Sequence, residues 1–307
     1  MAESLPPSAT EGPDAPLLSE ALVDRIAALE LVARVTAEGA MTGLHRSPRR
    51  GASVEFAEHK EYAPGDELRH VDWKTYGRSD RLYVKRFEEE TELHALLVVD
   101  CSSSMRYGQG ETDKLHYASV LAAAITYLLV TRRDRAGLLL TDGIAVPVAA
   151  RPSHLRRVTT MLAQANASGR ANLPSALRRA DALLSRRSQI IVFSDLLDPD
   201  ADAVLAAARS LRARGHDPCI VQVLHPDERT LPFDETAWYE SDDDGARVLV
   251  DPKAVRATYL ANLAALITGY RESLQRARIP FAELDTSVPA ADALSALITS
   301  TLTRRGR

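Results

Sequence analysis

The stretch Val98-Val99-Asp100-Cys101-Ser102-Ser103-Ser104-Met105, VVDCSSSM, sets an acid and a row of hydroxyls directly behind an apolar run that begins at Ala95. A continuous apolar run of this length is the pattern of a strand buried on both faces, as in a parallel sheet. In open α/β sheets, ligands gather at the carboxyl ends of such strands. Asp100, Ser102 and Ser104 lie just past that end and are spaced two apart. If the loop stays extended, one carboxylate and two hydroxyls face one point.

An all-oxygen set suits a hard cation, Mg2+ or Mn2+, and disfavours zinc, which draws His or Cys. One acid neutralises a divalent ion poorly, and IIVFSD supplies another: Asp195 follows the apolar run 190–193 as Asp100 follows the first. Asp100, Ser102, Ser104 and Asp195 are therefore the candidate metal ligands, with places left for water or for a partner's carboxylate.

From residue 93 onward, apolar strands alternate with helical patterns. Strands are predicted over 95–99, 136–141, 144–149, 189–193, 218–224 and 281–284. Helices are predicted over 114–132, 154–167, 174–185, 252–278 and 290–302, with a further one opened by Asp198-Pro199. Asn172 is the expected cap of the helix at Pro174. Asp142-Gly143 reads as a two-residue hairpin turn, so one antiparallel edge strand is expected. The alternation predicts a doubly wound, mostly parallel α/β sheet over 93–307.

Residues 1–16 hold four prolines and few large aliphatics and read as a disordered leader. Residues 17–38 place Leu22, Ile26, Leu29, Leu31, Val32 and Val35 at helical spacing, with Gly39 as the stop. Residues 44–92 change to short alternating segments and turns. Pro64-Gly65 marks a tight turn, and the chain around 77–80 reads as a hairpin. Residues 17–92 thus form a helix and a small β-rich subdomain.

The 307 residues carry 38 Lys and Arg against 42 Asp and Glu, a net charge of -4, so no long-range positive field recruits nucleic acid or anionic membrane. Basic and aromatic side chains interleave in the subdomain, but Glu61, Asp66, Glu67, Asp72, Asp80 and the Glu88–Glu90 run repel phosphate, and no nucleic-acid partner is expected. Two cysteines make neither a disulfide framework nor a closed zinc site. The longest apolar stretch, 120–130, has 11 residues, short of the ~20 of a spanning helix. The first residues lack the basic and apolar regions of a secretory signal. A cytoplasmic protein without membrane insertion is expected.

Phosphate-loop, His-Glu-x-x-His and Gly-x-Ser-x-Gly patterns are absent, and Ser102 stands where a phosphoaspartyl hydrolase needs its second Asp. No catalysis is expected. Cys101 reads as a small buried side chain, and Asp242, Asp243 and Asp244 read as a solvated turn.

DCSSS resembles the Asp-x-Ser-x-Ser signature of the von Willebrand factor A-like domain. The metal-ion-dependent adhesion site of that domain also takes a Thr from a later loop and an Asp from a later strand end. Residues 55–90, EFAEHKEYAPGDELRHVDWKTYGRSDRLYVKRFEEE, are similar to the signature of the bacterial family called domain of unknown function 58, which couples this preamble to an A-like domain. The resemblance runs from residue 42 to the last helix. It implies that Tyr62, Pro64, Gly65, Asp66, Arg69, Asp72 and Trp73 are the preamble's family residues. It matches Asp100, Ser102 and Ser104 to the first element of the metal site and Asp195 to the last. It further implies a module that presents Mg2+ or Mn2+ to an acidic residue of a protein partner. That partner would be a MoxR-type AAA+ ATPase or its client, and the work protein maturation or remodelling. Two positions depart from the family pattern: Ala171, in RANLPSAL, takes the place of the Thr, and Lys60 that of an Arg. The first removes an oxygen ligand, so a metal-free interaction scaffold is the alternative. A metal-assisted phosphohydrolase on the same acids is the other, and it lacks an evident general base.

Overall fold

The computed structural model describes residues 20–46, 59–61, 83–85, 93–170, 172–198, 200–240 and 246–302. Helix α1 (Glu20–Arg46) comes first, then a short antiparallel pair, β1 (His59–Glu61) and β2 (Tyr83–Lys85). Next come β3 (His94–Val99), α2 (Lys114–Thr131), β4 (Arg135–Leu140), β5 (Ala145–Ala149), α3 (Pro152–Gln164) and α4 (Leu173–Leu183). They are followed by β6 (Gln189–Ser194), α5 (Ala201–Ala213), β7 (Asp217–Leu224), α6 (Pro226–Thr230) and a hairpin of β8 (Ala237–Glu240) with β9 (Arg247–Val250). The chain closes with α7 (Pro252–Arg276), β10 (Phe281–Asp285), α8 (Ala290–Leu297) and a π-helical turn, Ile298–Leu302.

Six strands form the central sheet in the order β10-β7-β6-β3-β4-β5, every pair parallel except β4 with β5. This is the doubly wound, mostly parallel α/β sheet that the alternation predicts. The antiparallel edge strand follows from the turn: Gly143 takes a φ of 101°, and Asp142 Oδ1 accepts the Ile144 N–H at 2.9 Å. Successive strand residues face opposite sides. Leu97, Val99, Leu138, Leu140 and Phe193 join a core with α1, α2, α3 and α8. Leu96, Val98, Leu139, Ile190 and Val192 join a second core with α4, α5 and α7. Each such side chain contributes about 1.5–3 kcal/mol by leaving water, which is why the continuous apolar runs become the central strands.

Helix α2 is apolar nearly all round because it is buried nearly all round. At 18 residues it is longer than the apolar run 120–130 suggests, and it has the length and composition to cross a membrane. Yet 67% of it is buried inside the fold, as the core helix of the first face.

Helix α1 corrects the expectation that Gly39 ends it. The helix runs on to Arg46, and a Cβ on Gly39 would lie 3.2 Å from the Cβ of Ala291, so the glycine serves close approach of α1 to α8. The buried stripe is the predicted one only in its first half: Leu22, Ile26 and Leu29 pack inward, and Leu31, Val32 and Val35 do not. Ile26, Leu29, Ala33, Ala37 and Ala40 face the core, while Leu31 and Val35 are 58% and 59% exposed. Small residues win this face because they let helices pack closely, which a count of large aliphatics overlooks.

Gly137 in β4 has a similar reason. A Cβ there would fall 2.8 Å from Val148 Cγ2 and 3.0 Å from the Val146 carbonyl oxygen, on the irregular pairing with β5. Gly137→Ala should therefore cost about 1–3 kcal/mol by overpacking. Urea unfolding reads this as a lowered midpoint at unchanged slope, and an unchanged midpoint refutes it.

Other expectations are adjusted at element ends. Asn172 stands at the N-cap of α4, but its side chain makes no capping bond. Asp200, not Asp198, caps α5, accepting the Ala203 N–H at 2.9 Å. On α7 the spacing of Val255, Tyr259, Leu263, Leu266, Tyr270 and Leu274 reads as one apolar stripe; Val255 is exposed, and Ile267 joins Leu263, Tyr270 and Leu274 in the buried face. Helix α6 and the β8–β9 hairpin were not foreseen, being too short to show a period. In the preamble, the arm 83–85 pairs with 59–61. The residues Tyr62, Pro64, Gly65, Asp66, Arg69, Asp72 and Trp73, the turn at 77–80, the leader 1–16, Ala171 and the three aspartates at 242–244 lie outside the described residues.

Candidate functional site

Strand register builds the site. Val99 pairs with Phe193 on one side and Leu140 on the other, so the next residues, Asp100, Ser194 and Thr141, stand abreast at the carboxyl rim. The chain leaves β3 for β4 on one flank and later fills the other flank with β6. That reversal is the switch point at which open α/β sheets form a crevice.

Asp100 is buried at this point. Its Oδ1 accepts the Ser102 N–H at 3.0 Å and the Thr141 hydroxyl at 3.2 Å, and its Oδ2 accepts the Ser194 hydroxyl at 2.6 Å. Burial, and after it the nearby charge of Asp195, push the Asp100 carboxyl above the ordinary carboxylate range, against the pull of the Ser194 and Ser102 hydrogen bonds. The two acids stand at the ends of neighbouring strands, and the Ser194 hydroxyl that precedes Asp195 reaches the Asp100 carboxyl.

The serine segment is not the extended loop that the spacing suggested. Ser102 is extended, but Ser103–Arg106 coils into a 3-10 turn, with the Met105 N–H donating to the Ser102 carbonyl at 3.0 Å. The turn still brings the Ser102 and Ser104 hydroxyl oxygens to 3.2 Å of each other. Residues 167–169 lace it down: Ser103 N–H donates to the Gly169 carbonyl, Ser168 N–H to that of Cys101, and Arg106 Nη2 to that of Ala167. Cys101 is turned inward, and burial pushes its thiol up to about 12.

Asp195 carries the largest departure from expectation. Its Oδ1 accepts the Leu197 N–H at 3.1 Å, and its Oδ2 accepts the Lys114 ammonium at 2.9 Å. The same ammonium donates to Glu228 Oε1 at 2.6 Å, and Lys114 is completely buried. Burial disfavours the charged lysine, but the Asp195 and Glu228 carboxylates outweigh it and raise its pKa. Glu228 is held in turn by α6, its Oε2 accepting the His225 N–H at 2.8 Å. Tyr107 donates to Asp227 Oδ2 at 3.0 Å and meets the His225 ring edge-on, which fixes α6 beside the site.

Sequence reasoning missed Thr141, Ser194, Lys114 and Glu228. Thr141 and Ser194 had a signal, since each follows an apolar strand run as Asp100 does. Lys114 lies 81 residues from Asp195 and 114 from Glu228, and no local pattern links them.

The donor set suits a hard cation in type, because Asp100, Ser102 and Ser104 offer oxygen alone. In charge it is lean. Among the described residues no three His, Cys, Asp or Glu side chains gather as a metal cluster, and Asp195 is already neutralised by Lys114.

The order of these elements has a counterpart among known proteins: the family described as "Protein of unknown function DUF58" matches residues 58–266. The chain belongs to the DUF58 family. The match spans Asp100, Ser102, Ser104, Lys114, Asp195 and Glu228. Over 238 residues this DUF58 chain is 34% identical to "Uncharacterized protein Rv1480" of Mycobacterium tuberculosis and to "Uncharacterized protein Mb1516" of Mycobacterium bovis, covering 74% of this chain and 72% of each relative. Among solved structures, the DUF58 chain is similar to the conserved hypothetical protein BatB from Bacteroides thetaiotaomicron. The identity is 17% and the TM-score 0.44, over 69% of this chain and 99% of that one. It is also similar to the vWF domain of the type V pili tip protein Mfa5 from Porphyromonas gingivalis, with 15% identity and a TM-score of 0.36, over 69% and 96%.

Proposed function

We propose that this DUF58 chain is a non-catalytic protein-interaction module that presents Mg2+ or Mn2+ to an acidic residue of a partner protein. The observation that carries this reading is that Asp100, Ser102 and Ser104 leave the end of β3 where the neighbouring β6 ends in Ser194 and Asp195, with the Ser194 hydroxyl on the Asp100 carboxyl. Asp100, Ser102 and Ser104 would hold the ion, and Thr141 and Ser194 orient the Asp100 carboxyl. Bound there, the ion would supply an open coordination place for a partner's carboxylate. The open surface next to the serine turn is lined by Arg106, Tyr107, Gln109, Thr112, His225 and Asp227.

The non-catalytic reading is supported by the state of the reactive groups at the rim. Cys101 is held as a buried thiol, and Lys114 as an ammonium between two carboxylates, so neither is poised to attack or to take a proton. The partner is proposed to be a MoxR-type AAA+ ATPase or its client, on the strength of the preamble's resemblance alone, and the cytoplasmic setting rests on the two cysteines and the signal-free first residues. The metal-free scaffold is the second reading, favoured by the engagement of Asp195 with Lys114.

Calorimetric titration separates the two. Saturable Mn2+ heat, together with protein capture in Mg2+ that is released by chelator, is expected. No heat and chelator-insensitive capture would establish the scaffold instead. Mn2+-stimulated hydrolysis of a phosphate monoester would move the protein to the phosphohydrolase reading.

A further inference from the structure

The strongest unexplained feature of the molecule is a fully buried lysine at the rim of a proposed cation site. Lys114 opens α2, whose first turn is capped by Asp113, so its backbone is fixed and its side chain reaches across the crevice to Asp195. Its Nζ lies 2.9 Å from Asp195 Oδ2 and 2.6 Å from Glu228 Oε1, and no part of it reaches solvent. An ammonium so placed cannot itself meet a partner's carboxylate. What it does is neutralise the second acid.

We propose that Lys114 is an internal competitor for the divalent ion: its ammonium occupies Asp195, and an ion gains that carboxylate only as Lys114 withdraws onto Glu228. Three observations converge on this. Among the described residues, the hydrogen bonds to the Asp100 carboxylate come from hydroxyls and a backbone N–H and none from a cation. Asp195 Oδ2 is held by Lys114 while its Oδ1 is held by a backbone N–H. Glu228 gives Lys114 somewhere to go, since the ammonium already touches it and keeps one ion pair when it releases the other. Without that second acid, withdrawal would strand a buried charge, which is prohibitive. The lean donor set thereby becomes a graded one: loose on Asp100, Ser102 and Ser104, and tighter when a partner's binding favours the shift. This inference rests on the metal-presenting reading, and the test below tells the two apart.

Two double variants leave the net charge of the cluster unchanged and differ in which acid remains. Lys114→Met with Glu228→Gln frees Asp195, whereas Lys114→Met with Asp195→Asn removes it. Mn2+ affinity is read by calorimetry and, independently, by the rise in melting temperature with added Mn2+. The first variant should bind about tenfold or more tightly than the second and than the native protein, as follows if Asp195 is free in no more than about a tenth of native molecules. Equal affinities of the two variants overturn the proposal. If the first variant folds only when Mn2+ is added, the ion has replaced the lysine charge, and the proposal stands. If it stays unfolded at saturating Mn2+ while the second folds, the proposal falls. Mn2+ heat in the first variant with none in the native protein upholds the competition but ends metal presentation for the native chain. Native affinity equal to that of the first variant does the reverse.

Discussion

Asp100→Asn should abolish Mn2+ binding and, in the ion-free protein, raise the melting temperature. The two effects have one cause. Burial and the charge of Asp195 raise the Asp100 carboxyl above its ordinary 3.8, so the folded state binds that proton more tightly than the unfolded state does. The stability this group contributes is fully present below its unfolded value and is lost as pH rises through the folded value. Where the pH exceeds the folded value, the ionised carboxylate is therefore a cost. Asparagine keeps the oxygen that accepts from Ser102 and Thr141, and its amide can donate to the Ser194 hydroxyl in place of the present bond. It lacks the charge that a divalent ion needs. The loss of affinity should exceed the ~10–100-fold that removal of an outer-sphere partner costs. Mn2+ affinity of the native protein should also fall on acidification, beginning above pH 3.8, as the proton competes for Asp100. Calorimetry, and thermal melts over a rising pH series, check both halves. A lower melting temperature with binding retained would show that Asp100 is a structural acid and not the principal ligand.

The largest loss of stability is expected from Lys114→Met in the absence of metal. The side chain is fully buried, and its removal leaves Asp195 and Glu228 as uncompensated carboxylates inside the fold. Breaking a buried ion pair from one side costs about 3–5 kcal/mol, a large part of the ~5–15 kcal/mol by which a domain is stable. Pairing the change with Asp195→Asn should recover part of this, because it removes the more deeply buried of the two stranded carboxylates and leaves only Glu228, whose side chain is 14% exposed. Guanidinium unfolding of the single and double variants measures the difference. A single variant within about 1 kcal/mol of the native protein would mean that water reaches the cluster and that the ion pair matters little.

The architecture was readable because it depends on local repetition. The continuous apolar runs at 95–99 and 189–193 could be satisfied only in the middle of a sheet, and Asp142-Gly143 could be little other than a hairpin turn. Helix α1 was readable as a helix, and in its orientation only over the first half, where Ile26 and Leu29 face the core. Large aliphatics such as Leu31 and Val35 mark an apolar stripe in sequence, whereas the packed face continues from Ile26 and Leu29 through Ala33, Ala37 and Ala40, because closeness of approach to α2 and α8 outweighs side-chain size there.

At the site, the chain's order of residues settles which oxygens stand at strand ends: Asp100, Ser102 and Ser104 behind one apolar run and Asp195 behind another. It does so because burial of a strand determines where the strand must stop. Folding adds what no neighbourhood in the chain contains. Register sets Thr141 and Ser194 on either side of Asp100, and the docking of α2 and α6 around the rim delivers Lys114 and Glu228 to Asp195. Charge in a low-dielectric crevice is felt across a few ångströms whatever the separation along the chain. Whether an acid waits free for an ion or is already neutralised is thus a property of the packed molecule.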